Sequence, residues 1–160
     1  MSAFQRDYVE RMIEQCAEAI AQVVQLVRAG DFDLALIVVN RTCDAVLGAR
    51  RPVFERLDAA SAVELLGRYE LDRLRVYAAL LGEEGSIREL RGQSERSQRC
   101  FNRALELYSA ISMSGARLMG ADRERIAVLL AKVDIDRIEV RYQNELRRIA
   151  SEIAMPAAAE

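Results

Sequence analysis

The first 28 residues carry a hydrophobic pattern with the spacing of an α-helix. Between Phe4 and Arg28, apolar residues recur at steps of three and four, with charged and amide side chains on the opposite face. The apolar positions are Val9, Met12, Ile13, Cys16, Ala19, Ile20, Val23, Leu26 and Val27. Gly30 can adopt the left-handed conformation that ends a helix, and Asp31 or Asp33 can cap the next one. The pattern predicts a long amphipathic helix followed by a tight turn.

The second segment, residues 34–47, contains the run LALIVV, whose periodicity alone is compatible with a buried strand. The apolar pattern continues through Cys43, Val46 and Leu47 to Gly48, and aspartates that resemble helix caps precede it. These features favour a helix. Because this helix is apolar on most sides, we expect it in the middle of the assembly, with neighbours on both flanks.

Serine and glutamate occur twice with the spacing of a capping box. Ser61 with Glu64 predicts the start of a short helix that ends near Gly67, and Ser86 with Glu89 predicts another short helix that ends near Arg91.

Two further helices are predicted in the middle of the chain. One runs from about residue 68 to residue 81, where Gly82 and Gly85 interrupt it. The other begins at Ser94 and carries an apolar face that extends to Ile111. The stretch SMSGARLMG, residues 112–120, is the clearest loop.

The C-terminal segment predicts the longest helix, from a cap at Asp122 to about Glu152. At 1.5 Å per residue it would be about 46 Å long and would overreach a domain whose radius of gyration is about 15 Å. Its second half narrows to one apolar stripe, formed by Ile138, Tyr142, Leu146 and Ile149. A second copy of the chain is the simplest cover for the exposed end of that stripe, which favours a homodimer; a bent or frayed helix is the alternative.

Composition supports one helical domain. The chain has 160 residues, of which 51% are hydrophobic and 30% are charged, and it contains two prolines and eight glycines. So few turn residues favour long helices over many short strands. We expect an all-α fold of antiparallel helical hairpins, about 5–7 helices over residues 1–153, with a flexible tail over residues 154–160.

Charge and hydropathy narrow the classes of partner. A formal net charge of -2 provides no field that would attract a phosphate backbone, so nucleic-acid binding is not expected. Charged residues interrupt every apolar run, so no membrane span is expected either. The N-terminus lacks the apolar core of a secretory signal, and we expect a cytoplasmic protein.

The residue inventory excludes several kinds of catalytic centre. The sequence contains no histidine, which removes histidine-based triads and the HExxH zinc site. It contains no glycine-rich phosphate-binding motif and no CxxC, so neither a cofactor nor a metal is expected. Cys16, Cys43 and Cys100 are interpreted as buried free thiols. We expect no enzyme, although chemistry based on carboxylates or arginine alone stays open.

The most basic stretch of the chain is a candidate binding site for a partner. It comprises Arg88, Arg91, Arg96, Arg99 and Arg103. These arginines could receive an acidic peptide, a terminal carboxylate or a phosphate group. Glu89, Glu95 and Glu106 lie among them, so an ion-paired solvated face is the alternative interpretation.

Two passages resemble the turn and second helix of a tetratricopeptide repeat. In AGDFDLAL, Gly30, Phe32 and Ala35 match the turn glycine, the following aromatic residue and the small residue of the second helix. In RGQSERSQRCFNRALELY, the matching residues are Gly92, Phe101 and Ala104. The two glycines are not separated by a multiple of the 34-residue repeat period, and the tryptophan and the terminal proline of the repeat are missing. The resemblance implies tetratricopeptide-like hairpins that bind protein.

A second resemblance involves the opening DYVERMIEQ, residues 7–15, together with the same two turn passages. These segments are similar to an uncharacterised bacterial family of cytoplasmic helical proteins. That family implies a helical fold and no particular activity.

Taken together, these features favour a protein-interaction module without catalytic activity. Its partner would be another protein or peptide. The alternative is a structural subunit that self-associates through its first and last helices.

Overall fold

The computed structural model describes residues 2–155, and within that range the chain forms helices and no β-strand. The α-helices are α1 (Ala3–Arg28), α2 (Phe32–Leu47), α3 (Arg51–Arg56), α4 (Ala59–Leu66), α5 (Leu71–Leu90), α6 (Ser94–Met113), α7 (Gly120–Leu130) and α8 (Val140–Ala154). Apart from α3, which has 6 residues, each is at least two turns long. The predicted all-α class with about 5–7 helices is therefore confirmed, and the run LALIVV is helical.

Two helical hairpins, α1–α2 and α5–α6, have the same turn. Gly30 and Gly92 adopt φ values of 77° and 75°. The amide of the residue after each glycine donates to a carbonyl in the last turn of the preceding helix, from Asp31 to Leu26 at 2.9 Å and from Gln93 to Arg88 at 2.8 Å. This pattern is the Schellman motif, in which a left-handed glycine ends a helix. It reverses the chain within three residues, so the helices of each hairpin are antiparallel.

The centre of the molecule is α5. This helix packs most extensively on α6 and also contacts α1, α2 and α7. Its buried residues lie around most of its circumference, as Leu74, Tyr77, Leu80 and Ile87 show. The expectation that α2 lies in the middle needs correction, because α2 packs between α1 and α5 but leaves some of its apolar residues exposed.

Helix α5 continues through both glycines that were expected to interrupt it. Gly85 is buried where α5 crosses α6, and a Cβ at this position would lie 2.5 Å from Cε1 of Phe101. The hydroxyl of Ser97, also on α6, donates to the Gly85 carbonyl at 2.8 Å. The missing side chain allows the two helices to approach closely. The capping box predicted from Ser86 and Glu89 is therefore wrong, since both residues lie inside α5.

The cap of α4 is also shifted from its predicted position. The carboxylate of Asp58 accepts a hydrogen bond from the Ser61 amide at 3.0 Å and from the Ser61 hydroxyl at 2.8 Å. These two bonds lower the pKa of Asp58. Asp58 is thus the N-cap, and the predicted cap at Ser61 lies in the first turn of the helix.

The long C-terminal helix predicted from Asp122 to Glu152 is wrong, because residues 131–139 separate α7 from α8. Asp122 accepts a bond from the Met119 amide at 2.8 Å, three residues before it, so α7 begins at Gly120. In the connection, Asp134 accepts from the Asp136 amide at 3.0 Å and starts a short 3₁₀ turn. The break folds α8 back onto α6 and α7.

The described residues end inside the predicted flexible tail, residues 154–160. Helix α8 ends at Ala154, the first residue of the predicted flexible tail. Residues 156–160 lie outside the described range, so most of that prediction is not covered by the structure.

Two buried tyrosines offer a matched test of the packing around α8 and α6. The Tyr142 hydroxyl accepts a hydrogen bond from the Ala60 amide at 3.0 Å, in the first turn of α4, whereas the Tyr108 hydroxyl has no hydrogen-bond partner among the described residues. We expect Tyr142→Phe to lower the free energy of unfolding by about 0.5–1.5 kcal/mol, because it leaves an amide unsatisfied. Tyr108→Phe should leave it unchanged or raise it, because it removes a buried hydroxyl that has no partner among the described residues. Urea denaturation measures both free energies of unfolding. Equal losses would contradict the hydrogen bond between the Tyr142 hydroxyl and the Ala60 amide.

Candidate functional site

The arginines of the predicted partner-binding stretch do not form one surface. Arg88 pairs with Glu84 one turn earlier on α5, at 2.7 Å. Arg91 extends to Asp33 on α2 at 2.8 Å and so joins the two hairpins. Both side chains therefore serve contacts within the protein.

The remaining arginines of the stretch lie on α6. Arg103 donates to the Phe54 carbonyl at the end of α3, at 2.9 Å, in a partly buried position. Arg99 is exposed and lies 3.9 Å from Glu95, and Arg96 is exposed as well. Of the five predicted residues, only Arg96 and Arg99 are exposed and also make no hydrogen bond or ion pair to another helix of the described chain. Exposed arginines beside an acidic residue make only weak, solvent-screened electrostatic contacts.

The predicted self-association stripe lies inside the protein's own core. Its residues are at most 3% exposed: Ile138, Tyr142, Leu146 and Ile149. Because α8 folds back onto α6, the chain itself covers the stripe. The expectation that the end of the stripe is left exposed for a second copy to cover is therefore wrong.

A different surface collects the exposed aromatic residues of the chain. The sequence contains four phenylalanines, five tyrosines and no tryptophan. All of them lie in the described range, and three are exposed: Phe4 at 82%, Tyr8 at 51% and Tyr69 at 72%. These three line one depression of about 450 Å³ together with Gln5, Val9, Glu70 and Arg73. We call this depression the aromatic cleft.

One wall of the aromatic cleft is the first part of α1. Ser2 caps the helix by accepting the Gln5 amide at 3.2 Å, and the Gln5 side chain accepts the Ser2 amide at 3.1 Å. This reciprocal pair fixes the start of the helix. Phe4 and Tyr8 are four residues apart, which places both rings on the same face.

The other wall is the 3₁₀ turn Arg68–Glu70, which precedes α5. Gly67 ends α4 with a φ of 69° and allows the chain to turn sharply before Tyr69. The turn therefore presents the Tyr69 ring opposite the rings on α1.

Arg73 joins the two walls. Its guanidinium lies 5.4 Å from the centre of the Tyr8 ring, donates to the Val46 carbonyl at 2.8 Å and lies 3.5 Å from Glu70. The Nε atom of Arg73 is buried and is the atom that faces Glu70 Oε1. The cleft thus combines exposed rings with a fixed, ion-paired cation.

The arrangement is suited to recognition and lacks the parts of a catalytic centre. The ionisable residues that line it are Tyr8, Tyr69, Glu70 and Arg73. None is a nucleophile held by a base, and the Glu70 carboxylate is engaged by Arg50 at 3.4 Å. Aromatic side chains and arginine are enriched in protein interfaces and among their energetically dominant residues.

The three cysteines of the chain are free thiols that differ in burial. Cys16 and Cys43 are buried free thiols, as expected, and Cys100 is partly buried. Burial raises the pKa of Cys43 to about 12 and that of Cys100 to about 11, so both thiols are protonated near neutral pH. Across residues 2–155, no group of three or more cysteines and acidic residues is placed to hold a metal ion.

The sequence interpretation placed Phe4 at the start of the first helix without assigning it a role, and it did not single out Tyr8 or Tyr69. One signal was present, because Phe4 and Tyr8 continue the i, i+4 row of Met12 and Cys16 toward the start of α1. The apolar face of the helix therefore extends to its first turn. Tyr69 joins the two rings only through the packing of α1 against α5.

Comparisons with known proteins assign no family to this chain. No protein-family model, no curated protein and no solved structure matches the chain. In the part of the chain that the structure covers, no helix has the length and apolar character required to cross a bilayer.

Proposed function

We propose that the protein is a protein-interaction module without catalytic activity, and that it engages another protein through the aromatic cleft. The observation that carries this proposal is the clustering of the exposed aromatic residues around Arg73. Single exposed apolar residues are ordinary on protein surfaces, whereas a contiguous patch rimmed by polar groups marks an interaction site. The partner supplies an apolar segment that packs on the rings.

The two glycine turns support a tetratricopeptide-like description of the hairpins. Their hydrogen bonds are the same, and the small residues Ala35 and Ala104 of their second helices are fully buried. Hairpins of this kind present surfaces between neighbouring helices, where a peptide can bind. The aromatic cleft lies beside the first hairpin and α5.

Tyr69 is the residue whose truncation tests the proposal most directly. We expect Tyr69→Ala, and separately Phe4→Ala, to reduce partner binding by at least about tenfold, because a dominant aromatic residue at the centre of an interface contributes about 2 kcal/mol or more. The matched control is Val140→Ala, which removes an exposed apolar side chain on α8. Quantitative mass spectrometry after affinity capture from the source cells identifies the partner, and titration with the purified partner measures the affinity.

All three variants alter exposed side chains, so their thermal unfolding should match that of the unaltered chain within about 0.5 kcal/mol. A partner that binds Tyr69→Ala, Phe4→Ala and Val140→Ala with equal affinity would remove the aromatic cleft from consideration.

Self-association is the second candidate function. The observation that favours it is the position of Phe4 and Tyr8 on the first helix, which was one of the two helices expected to form a homodimer. Light scattering after size-exclusion chromatography distinguishes the candidates, since a homodimer has twice the 18.0 kDa mass of the chain. A dimer that dissociates in Tyr69→Ala would assign the cleft to a second copy, and a monomer at micromolar concentration would exclude self-association.

A further inference from the structure

A second depression, of about 200 Å³, lies between α5 and α7 on another part of the surface. The α5 side is made of small residues, Ala78, Ala79 and Gly82, and the α7 side contributes Val128 and Leu129. A Cβ on Gly82 would lie 3.8 Å from Cδ2 of Leu129, so the absent side chain helps to keep the groove open. Its volume is below the ~300–1,000 Å³ of sites for drug-sized ligands, which limits the occupant to a small molecule.

The floor of this groove contains an unsatisfied polar group. Tyr108 extends from α6 to the groove, is 0% exposed, and its hydroxyl has no hydrogen-bond partner in residues 2–155. Burial, which excludes water, raises the pKa of this hydroxyl, and the charged groups that act on it belong to α5 and α7. A buried hydroxyl without a partner is costly, so this group favours a bound molecule that can accept its hydrogen bond.

Two opposite charges line the same groove without pairing. Glu83 on α5 and Arg125 on α7 are both partly buried. Within the described chain, neither makes an ion pair within 4.0 Å or a side-chain hydrogen bond, although 17 ion pairs form elsewhere. Burial raises the pKa of Glu83, and the positive charges of Arg125 and Lys132 oppose that shift. Ser86 and Glu124 complete the polar lining.

We propose that the groove binds a small zwitterion with an aliphatic side chain, of the class of free aliphatic α-amino acids. Its ammonium group pairs with Glu83, its carboxylate pairs with Arg125 and accepts a hydrogen bond from Tyr108, and its side chain packs on Ala79, Gly82 and Leu129. A ligand with both charges satisfies both unpaired side chains at once. A ligand with one charge leaves the other charge desolvated and unpaired.

Calorimetric titration of the full chain tests this with L-leucine and two singly charged analogues of the same carbon skeleton. These analogues are 4-methylpentanoate, which lacks the ammonium group, and 3-methylbutylamine, which lacks the carboxylate. We expect saturable binding of L-leucine and at least about tenfold weaker binding of each analogue. Glu83→Gln should weaken L-leucine binding by at least about tenfold, and Tyr108→Phe should weaken it severalfold.

The matched control is Glu95→Gln, an exposed carboxylate on α6, which should leave L-leucine binding unchanged. The proposal is overturned if neither L-leucine nor L-valine gives a saturable signal at millimolar concentration. It is also overturned if either analogue binds as tightly as L-leucine, or if Glu83→Gln and Glu95→Gln bind equally. Thermal unfolding shows that each variant is folded. The aromatic cleft plays no part in this experiment, so its outcome is independent of the proposed protein-interaction function.

Discussion

Leu146→Ala is expected to lower the free energy of unfolding by about 2–5 kcal/mol, the range for truncating a large aliphatic residue in a packed core. Leu146 is 0% exposed and belongs to the apolar stripe of α8, which packs on α6. The loss combines the transfer free energy of the deleted methyl groups with the cost of the cavity that remains. Urea denaturation followed by circular dichroism measures the loss.

A control on the same helix separates packing from helix propensity. Val140 is 78% exposed at the start of α8, and Val140→Ala should change the unfolding free energy by less than about 0.5 kcal/mol. The effect of Leu146→Ala should also be independent of protein concentration, because the residue is covered within one chain. A small, concentration-dependent effect would show instead that the stripe is an interface between copies.

The second large effect is expected at Gly85. Gly85→Ala should destabilise the protein by about 1–3 kcal/mol, because the new methyl group would overlap the ring of Phe101 and force the core to shift. A Cβ at this position would lie 2.5 Å and 2.6 Å from two ring carbons of Phe101 and 3.2 Å from Cβ of Cys100. Phe101 is fully buried, so its ring has little room to move.

Gly82 provides the matched comparison in the same helix. A Cβ there meets only Leu129 Cδ2, at the ordinary contact distance of 3.8 Å. Alanine favours helix over glycine by up to about 1 kcal/mol, so Gly82→Ala should stabilise the protein. Opposite signs for the two substitutions in urea denaturation are the expected result. A stabilising Gly85→Ala would show that α5 and α6 are farther apart than described.

Local patterns predicted the helices that carry their own signals. The apolar repeat from Val9 to Val27 matches α1, and Asp31, one of the two aspartates expected as a cap, accepts the Leu34 amide. The helix expected from Ser94 begins there. In each case, the features that define the element lie within a few residues of one another, so the sequence contains all of the information.

Predictions that depended on distant contacts did worse. Glycine lowers helix propensity, and this local preference suggested that α5 breaks at Gly82 and Gly85. The helix continues because packing against Phe101 on α6 makes the small residue favourable. Similarly, residues 122–152 have a continuous helical pattern, yet the chain reverses direction between α7 and α8. Val133 and Ile138, which lie in this connection, are buried in the shared core.

The candidate sites show the same difference between local sequence patterns and contacts between distant segments. The arginine stretch was visible as a run of charge, but the structure ties Arg88, Arg91 and Arg103 to carboxylate and carbonyl groups of the protein itself. The aromatic cleft was not predicted, because Tyr8 and Arg73 are brought together only when α1 packs on α5.

By itself the sequence determined the helical class, the two glycine turns and the absence of histidine chemistry, since each depends on residue type and short spacing. Only the tertiary structure decided where α7 ends, which apolar residues are covered, and which side chains line the aromatic cleft and the groove between α5 and α7. Those features depend on contacts between segments far apart in the chain, and the free energy of such contacts exceeds local conformational preference.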